Sequence, residues 1–337
     1  MAAGGKTLVT GATGFVGSVL TRQLVGEGAD VRIFHRPDSS MSMLGDAAEA
    51  VEHSTGDVTH GRSLYEAMTD VDRVYHVAAK VSFARRDHAA LRRVNVDGTA
   101  NVVDAAVAAG VDRLVHTSSM AAFGRPTSDD VVIDEDTAWR DASHRSTYAR
   151  TKRRAELEVH RGIAEGLDAV IVNPSLVFGV GRADTNTRRI VDAVRHGWLP
   201  AVPPGGTNVV DVKDVAAGHR KAMRRGEGGR RYFLGGENLS WNDIVRTLAE
   251  ALGVRPPRHV APSFLVKTGG MLAEAIARVT WTRPLLSRTT AKSACRTYRY
   301  DNRRAREELG CSFRPFTDTA RRIARALQLE QSSTAVE

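Results

Sequence analysis

Cysteine is almost missing from this chain: Cys295 and Cys311 are the only two in 337 residues, and neither has metal-ligand spacing. A disulfide framework and a zinc module are thereby excluded, and a cytoplasmic protein with free thiols is the simplest expectation. Long apolar runs are missing too. No stretch reaches 18 uninterrupted apolar residues, and the segment from Ser263 to Val279 is broken by Lys267, Glu274 and Arg278, which suits an amphipathic helix rather than a membrane span. The opening MAAGGKTLVT has no charged stretch followed by an apolar one, so no signal peptide is expected. Lysine is scarce, at seven of the 48 basic residues. The arginines that supply the rest of the +9 net charge are scattered among acids, without a helix-turn-helix, zinc finger or aromatic-basic platform. Nucleic acid is therefore not an expected partner. No cluster of His, Asp and Glu points to a metal.

What is present is an ordinary globular balance, 42% apolar and 26% charged, in a chain long enough for one large domain or two associated ones. Short β-branched runs alternate with helical stretches. KTLVT, VRIFHR, RVYHVAA, RLVHTSS and DAVIVNPS, starting near residues 6, 31, 73, 113 and 168, read as buried strands. Helical patterns lie between them, such as GSVLTRQLVGEG and the stretch from His88 to Ala109 that ends at Gly110. This alternation predicts a parallel sheet with helices on both faces. After about residue 175 the rhythm changes, broken by Pro200, Pro203, Pro204, Gly205 and Gly206. NVVDVKDVAAGHRKAMRR adds one more strand and helix, and the remainder is mostly helical. The expected division is residues 1–175 with 207–228 in one domain, 176–206 with 229–330 in a smaller second one, and a disordered tail at 331–337.

Directly after the first strand comes TGATGFVG, with Gly11, Gly14 and Gly17 at GxxGxxG spacing. Such a turn lets the backbone approach a pyrophosphate, and the helix that follows aims free N–H groups at the anion. The strand before it and the amphipathic helix after it are the context that gives the glycines this meaning, that of a doubly wound, Rossmann-type α/β fold. The second strand ends VRIFHRPD. A carboxylate there selects NAD and an arginine accommodates a 2′-phosphate, so Arg36 favours NADP, with Asp38 keeping NAD as the alternative. Near the middle stands STYARTK, residues 146–152. Composition alone predicts about 0.1 Tyr–Lys pairs at this offset in the whole chain, and only Tyr148 and Lys152 form one. On a helix the spacing places both on one face. A surface contact is the bland explanation; an acid/base pair is the chemical one.

With these residues in view, the chain resembles the extended short-chain dehydrogenase/reductase family, within the NAD-dependent epimerase/dehydratase superfamily. TGATGFVG resembles its cofactor motif, which implicates Thr10, Gly11, Thr13, Gly14, Phe15, Val16 and Gly17. TGDV, with Asp57 and Val58, is similar to the segment that contacts adenine, and HVAA to the adenosine-side loop, with Ala78 and Ala79. RRVNVDGTANVVDAA resembles the family helix that carries Asn95, whose role is equally structural or catalytic. TSS implies Thr117 and Ser118 beside the cofactor and Ser119 as the catalytic serine, and NPS implies Asn173, Pro174 and Ser175 beside the nicotinamide. The resemblance makes Tyr148 the acid or base, Lys152 its electrostatic partner and ribose ligand, and Ser119 the holder of the substrate oxygen. A nearby ammonium would bring a phenol down from about 10 toward the useful range. His76 and His116 are expected as hydrogen-bonded core histidines. Phe83 and His144 are candidates for substrate contact, although a loop histidine is more often solvated. Loops 81–88 and 124–147, and the helical region 176–206 with 229–300, are expected to wall the pocket, with Phe83, Arg85, Arg86, Arg182, Trp198 and Trp241 among their residues.

Within this family, dehydratase-type members place acids after the serine, where this chain has Met120, Ala121 and Ala122. Epimerase-type members often carry a diphosphate-clamping arginine where Thr207 and Asn208 stand, although Arg182, Arg188 or Arg189 could substitute. NPSLVFG and FLGGENLSWNDIV look closer to bacterial dihydroflavonol-reductase-like proteins. The resemblance thus implies an NADP-dependent oxidoreductase acting on a small-molecule carbonyl or secondary alcohol. A redox-neutral nucleoside-diphosphate-sugar epimerase is the first alternative and a cofactor-binding protein without turnover the second. A homodimer is compatible with the chain.

Overall fold

The structure, a computed structural model, describes residues 5–126, 131–139, 146–181, 185–280 and 287–334. In chain order the strands are β1 (Thr7–Thr10), β2 (Val31–His35), β3 (Glu52–Thr55), β4 (Arg73–His76), β5 (Arg113–Thr117), β6 (Val132–Ile133), β7 (Ala169–Pro174), β8 (Leu176–Phe178), β9 (Gly206–Asp211), β10 (Arg231–Leu234), β11 (Glu237–Ser240) and β12 (Arg299–Tyr300). The helices are α1 (Phe15–Gly26), α2 (Gly61–Ala67), α3 (His88–Arg92), α4 (Gly98–Ala109), α5 (Thr147–Ala164), α6 (Asn186–Arg195), α7 (Val212–Arg225), α8 (Trp241–Leu252), α9 (Ser263–Thr280), α10 (Arg288–Ala294), α11 (Arg303–Glu307) and α12 (Phe316–Thr334).

Seven strands form one sheet in the order β10-β7-β5-β4-β1-β2-β3, and every pair in it is parallel. The central strands show why. Every residue of TLVT in β1 and of AVIVNP in β7 is buried, as a parallel sheet covered on both faces requires. On one face α1 and α7 supply Leu20, Leu24, Val215 and Ala216. On the other α2, α4 and α5 supply Leu64, Val102, Val103 and Val159. The five strands expected from the sequence are all present. Two more were not anticipated. β3 is the polar, largely exposed EHST at one edge, and β10 is RYFL at the opposite edge.

The order reverses between β1 and β4, and loops that follow these strands diverge there to leave the crevice in which such sheets bind ligands. A second sheet, β11-β9-β8, packs with α6, α8 and α12 around Phe178, Val209, Leu248 and Phe316. The NVVD strand belongs to this second sheet rather than to the large one. Phe233 of β10 stacks at 5.1 Å on Tyr300 of β12, which pairs with β6 in a third, two-stranded sheet. α12 runs on to Thr334, so the first residues of the expected tail are helical, since an established helix extends at little cost. Among the described residues no helix is long and apolar enough to cross a membrane.

Candidate active site

At the end of β1, Gly11 adopts φ +71°, and a Cβ on it would lie 2.6 Å from the Ala78 nitrogen. A Cβ on Gly17 would lie 2.1 Å from the Gly11 oxygen. These two glycines are required by the fold of the turn itself. Gly14 caps α1 without a side chain, and the first turn carries no acid, so the leading N–H groups of a three-turn helix face the cleft unsatisfied. That is a ready anion site.

Beyond the turn, Arg36 and Asp38 are both largely exposed and form an open ion pair at 3.6 Å. Asp57 sits across from them. Burial alone would raise its carboxyl, but hydrogen bonds from the Thr59 amide and hydroxyl and the charges of Arg36 and His60 outweigh this and hold it below the usual range. His35, between the two strands, is pinned by the Arg36 carbonyl and His53.

α5 positions the chemical groups. Ser146 caps it by accepting from the Ala149 amide at 3.1 Å, which starts the helix at Thr147, one residue before Tyr148. Tyr148, Lys152 and Glu156 then fall on one buried face at four-residue spacing. Ser119, at the start of a short turn after β5, accepts from the Ala121 amide at 3.2 Å and lines the cleft beside Tyr148. Burial raises the phenol above its ordinary value, against which the Ser119 contact works. The expected lowering by Lys152 is not a feature of the protein's own groups. Lys152 donates to the Thr117 carbonyl at 2.7 Å, and burial brings its own pKa down to about 8 in spite of the Glu156 charge.

Glu156 is the residue that sequence reasoning missed. It is fully buried, accepts from Ser118 at 2.6 Å and Asn173 at 2.7 Å, and pairs with Arg153 at 3.0 Å. It thereby locks β5, β7 and α5 together behind Lys152. Its signal was available, an acid four residues beyond the lysine on the same face. Asn95 proves to be a clamp: its amide exchanges hydrogen bonds with the Lys80 backbone at 2.8 and 3.0 Å and donates to Thr151 at 3.2 Å. Thus it fixes the loop after β4 against α5.

Most of the expected residues meet in one cleft of about 2140 Å³. Gly11, Thr13, Gly14, Phe15, Val16, Gly17, Arg36, Asp57, Val58, Ala78, Ala79, Thr117, Pro174 and Ser175 line one part, and Phe83, Ser119, Tyr148 and Lys152 continue it. Phe83 meets the Tyr148 ring edge-on at 5.8 Å. Thr10 and Asn173 stand behind the wall instead. Thr10 bonds His76 at 2.8 Å, and Asn173 holds Glu156 and the Ser119 carbonyl. The Thr117 hydroxyl also turns inward, to His219 at 2.8 Å. His76 is hydrogen-bonded at both ring nitrogens, as expected, whereas His116 is buried with neither nitrogen partnered among the described residues. His144 and Arg182 lie outside the described residues. Trp241 and Arg86 line the cleft and Trp198 does not, while Arg125 and Arg296 were unforeseen members of its wall. Arg188 is held by Asp192 and Glu330, both at 3.0 Å, and Arg189 reaches the cleft.

A ligand pocket typically measures about 300–1,000 Å³, so this cleft has room for a dinucleotide together with a second molecule. The uncapped α1 terminus fits the pyrophosphate. The buried Ser175 hydroxyl, unpartnered among the described residues, is free for the nicotinamide end. The residues present therefore fit the cofactor.

The profile of the NAD dependent epimerase/dehydratase family matches residues 7–235. A Synechocystis protein named as a presumptive dihydroflavonol 4-reductase is 34% identical over 90% of this chain and 88% of its own. Sterol demethylase protein B of Methylococcus capsulatus is 35% identical over 90% and 92%. Among solved structures, that of gox2253 superposes with a TM-score of 0.83 at 34% identity, covering 96% of this chain and 98% of the other.

Proposed function

Because the chain belongs to the NAD-dependent epimerase/dehydratase family, we propose that it is an NADP-dependent oxidoreductase interconverting a carbonyl and a secondary alcohol on a partly apolar small molecule. It is an enzyme of NAD(P)-dependent chemistry at CH–OH or carbonyl groups. The observation that carries the finer reading is the Tyr148 phenol, which burial holds protonated, in a cleft wall it shares with Ser119 and the apolar Phe83 and Met120. A protonated phenol is a donor to an oxyanion, as carbonyl reduction needs. Bound nicotinamide supplies the hydride. Ser119 steadies the substrate oxygen as charge develops on it, and Tyr148 delivers the proton. Lys152, at about 8, keeps its ammonium at neutral pH and orients on the Thr117 carbonyl. Arg36 favours a 2′-phosphate over a bare ribose.

The names of the two relatives, a presumptive dihydroflavonol 4-reductase and a sterol demethylase protein, support a partly apolar substrate. Apolar Leu199, Val202, Ala261 and Val266 in the outer cleft support it further. The second reading is a nucleoside-diphosphate-sugar epimerase, favoured by Arg189 in the wall. NADPH absorbance during incubation with aromatic ketones, aldehydes, steroid-like ketones and sugar nucleotides separates them. Net oxidation of NADPH with alcohol released is the expected result. Isomerisation of a sugar nucleotide with no net change in NADPH would replace the reductase by the epimerase.

A further inference from the structure

Six of the fourteen large hydrophobic residues exposed among the described residues fall on one face: Trp198, Val260, Phe264, Leu265, Met271 and Leu272. Such clustering, unlike scattered exposure, marks an interaction surface. Two backbone hydrogen bonds assemble it. The Val202 amide donates to the His259 carbonyl at 3.0 Å and the Ala261 amide to the Val202 carbonyl at 2.8 Å, so residues 198–202 run beside the entry to α9. Along α9, Phe264 with Met271 and Leu265 with Leu272 repeat at seven residues and form one stripe.

Charge says what this face meets. Arg255, Arg258 and Lys267 stand exposed beside the stripe and Arg195 borders Trp198, and none of the four is in an ion pair among the described residues. No acid occurs between Leu252 and Ala273, or between Arg195 and Val202. Glu274, the next acid along α9, is engaged by the Arg288 amide. A second copy docked on this face would set four cations against four. An anionic bilayer instead takes the apolar stripe into its interface and the cations among its headgroups. Leu265 is half exposed and also lines the cleft, as do its neighbours Ala261 and Val266, so the cleft opens at this face.

We infer that the face formed by residues 195–202 and 255–272 docks on an anionic lipid surface, with the mouth of the substrate cleft toward the bilayer. The direction of the mouth matters because of the proposed apolar substrate, and to that extent the inference rests on that reading. The docking itself does not need turnover. The experiment is sedimentation of the protein with phosphatidylcholine vesicles, with and without about a third phosphatidylglycerol. Binding to the anionic vesicles alone, weakened by salt, is expected. Phe264→Ser/Leu272→Ser and Arg258→Ser/Lys267→Ser should each reduce it by about tenfold or more. None of these four side chains lines the cleft, so thermal midpoint and turnover of a water-soluble carbonyl should stay as in the wild type. No binding to anionic vesicles, or equal binding by the variants, overturns the inference. So does a dimer in sedimentation velocity that Phe264→Ser/Leu272→Ser dissociates, which would give the face to a second copy. A protein that binds vesicles yet reduces no carbonyl keeps the docking and loses the reductase instead.

Discussion

At neutral pH the Tyr148 phenol keeps its proton, since burial raises it above its ordinary value. Tyr148→Phe deletes only the proposed proton donor, so turnover should fall by at least about a hundredfold with cofactor affinity nearly intact. Titration of the cofactor alongside kcat checks both halves. Glu156 acts at one remove. Its charge supports the Lys152 ammonium against burial. Glu156→Gln should lower the Lys152 pKa, so the alkaline fall of kcat/KM, set near pH 8, moves to lower pH by roughly one unit. An unchanged profile would make Glu156 a packing residue only. Arg36→Ala should weaken NADPH more than NADH; equal affinities in the wild type would pass the ribose to Asp38. The Tyr148–Lys152 pair was legible because four-residue spacing on a helix is local. Glu156 stands at the same local spacing, but its partners Ser118 and Asn173 were not legible, since they depend on which strands α5 is laid against.

The glycine turn and α1 form an element whose sequence and shape match position by position. Gly17→Ala would drive a methyl into the Gly11 carbonyl, backbone against backbone, and should cost about 1–3 kcal/mol along with cofactor binding. Gly26, in the last turn of the same helix, has nothing within 4 Å of its would-be Cβ. Gly26→Ala should stabilise by about 0.5–1 kcal/mol. Thermal melts of the two variants, with and without cofactor, make the contrast. The strands that escaped sequence reading share a reason. β3 is an edge strand with one pairing partner and polar EHST, so it has no apolar pattern to read. β10 is four residues long and lies among Gly-rich and basic neighbours, and its place beside β7 is fixed only by distant contacts, such as the Glu135 carboxylate accepting from the Phe233 amide at 2.7 Å.

Across the whole molecule, buried histidines should govern behaviour in acid. Burial lowers His76 to about 3 and His219 to about 4 from an ordinary 6.5. Both folded values are depressed, so as pH falls the unfolded chain takes up these protons first. Stability that is full above pH 6.5 is therefore lost progressively toward pH 4. The thermal midpoint should track this, with a shallower decline in His219→Gln, whose amide cannot titrate; a wild-type midpoint flat down to pH 4 would contradict it. The place of β10 at the end of the large sheet has a consequence for synthesis. A ribosome delivers β1, β4, β5 and β7 in sequence, but the strand that closes the bare edge of β7 emerges roughly sixty residues later. Throughout that interval the nascent protein displays AVIVNP with its outward amides and carbonyls open to any passing strand. A message cut short in that window would yield sticky fragments rather than a smaller working enzyme, and slow translation there would lengthen the time for which a holding chaperone is needed.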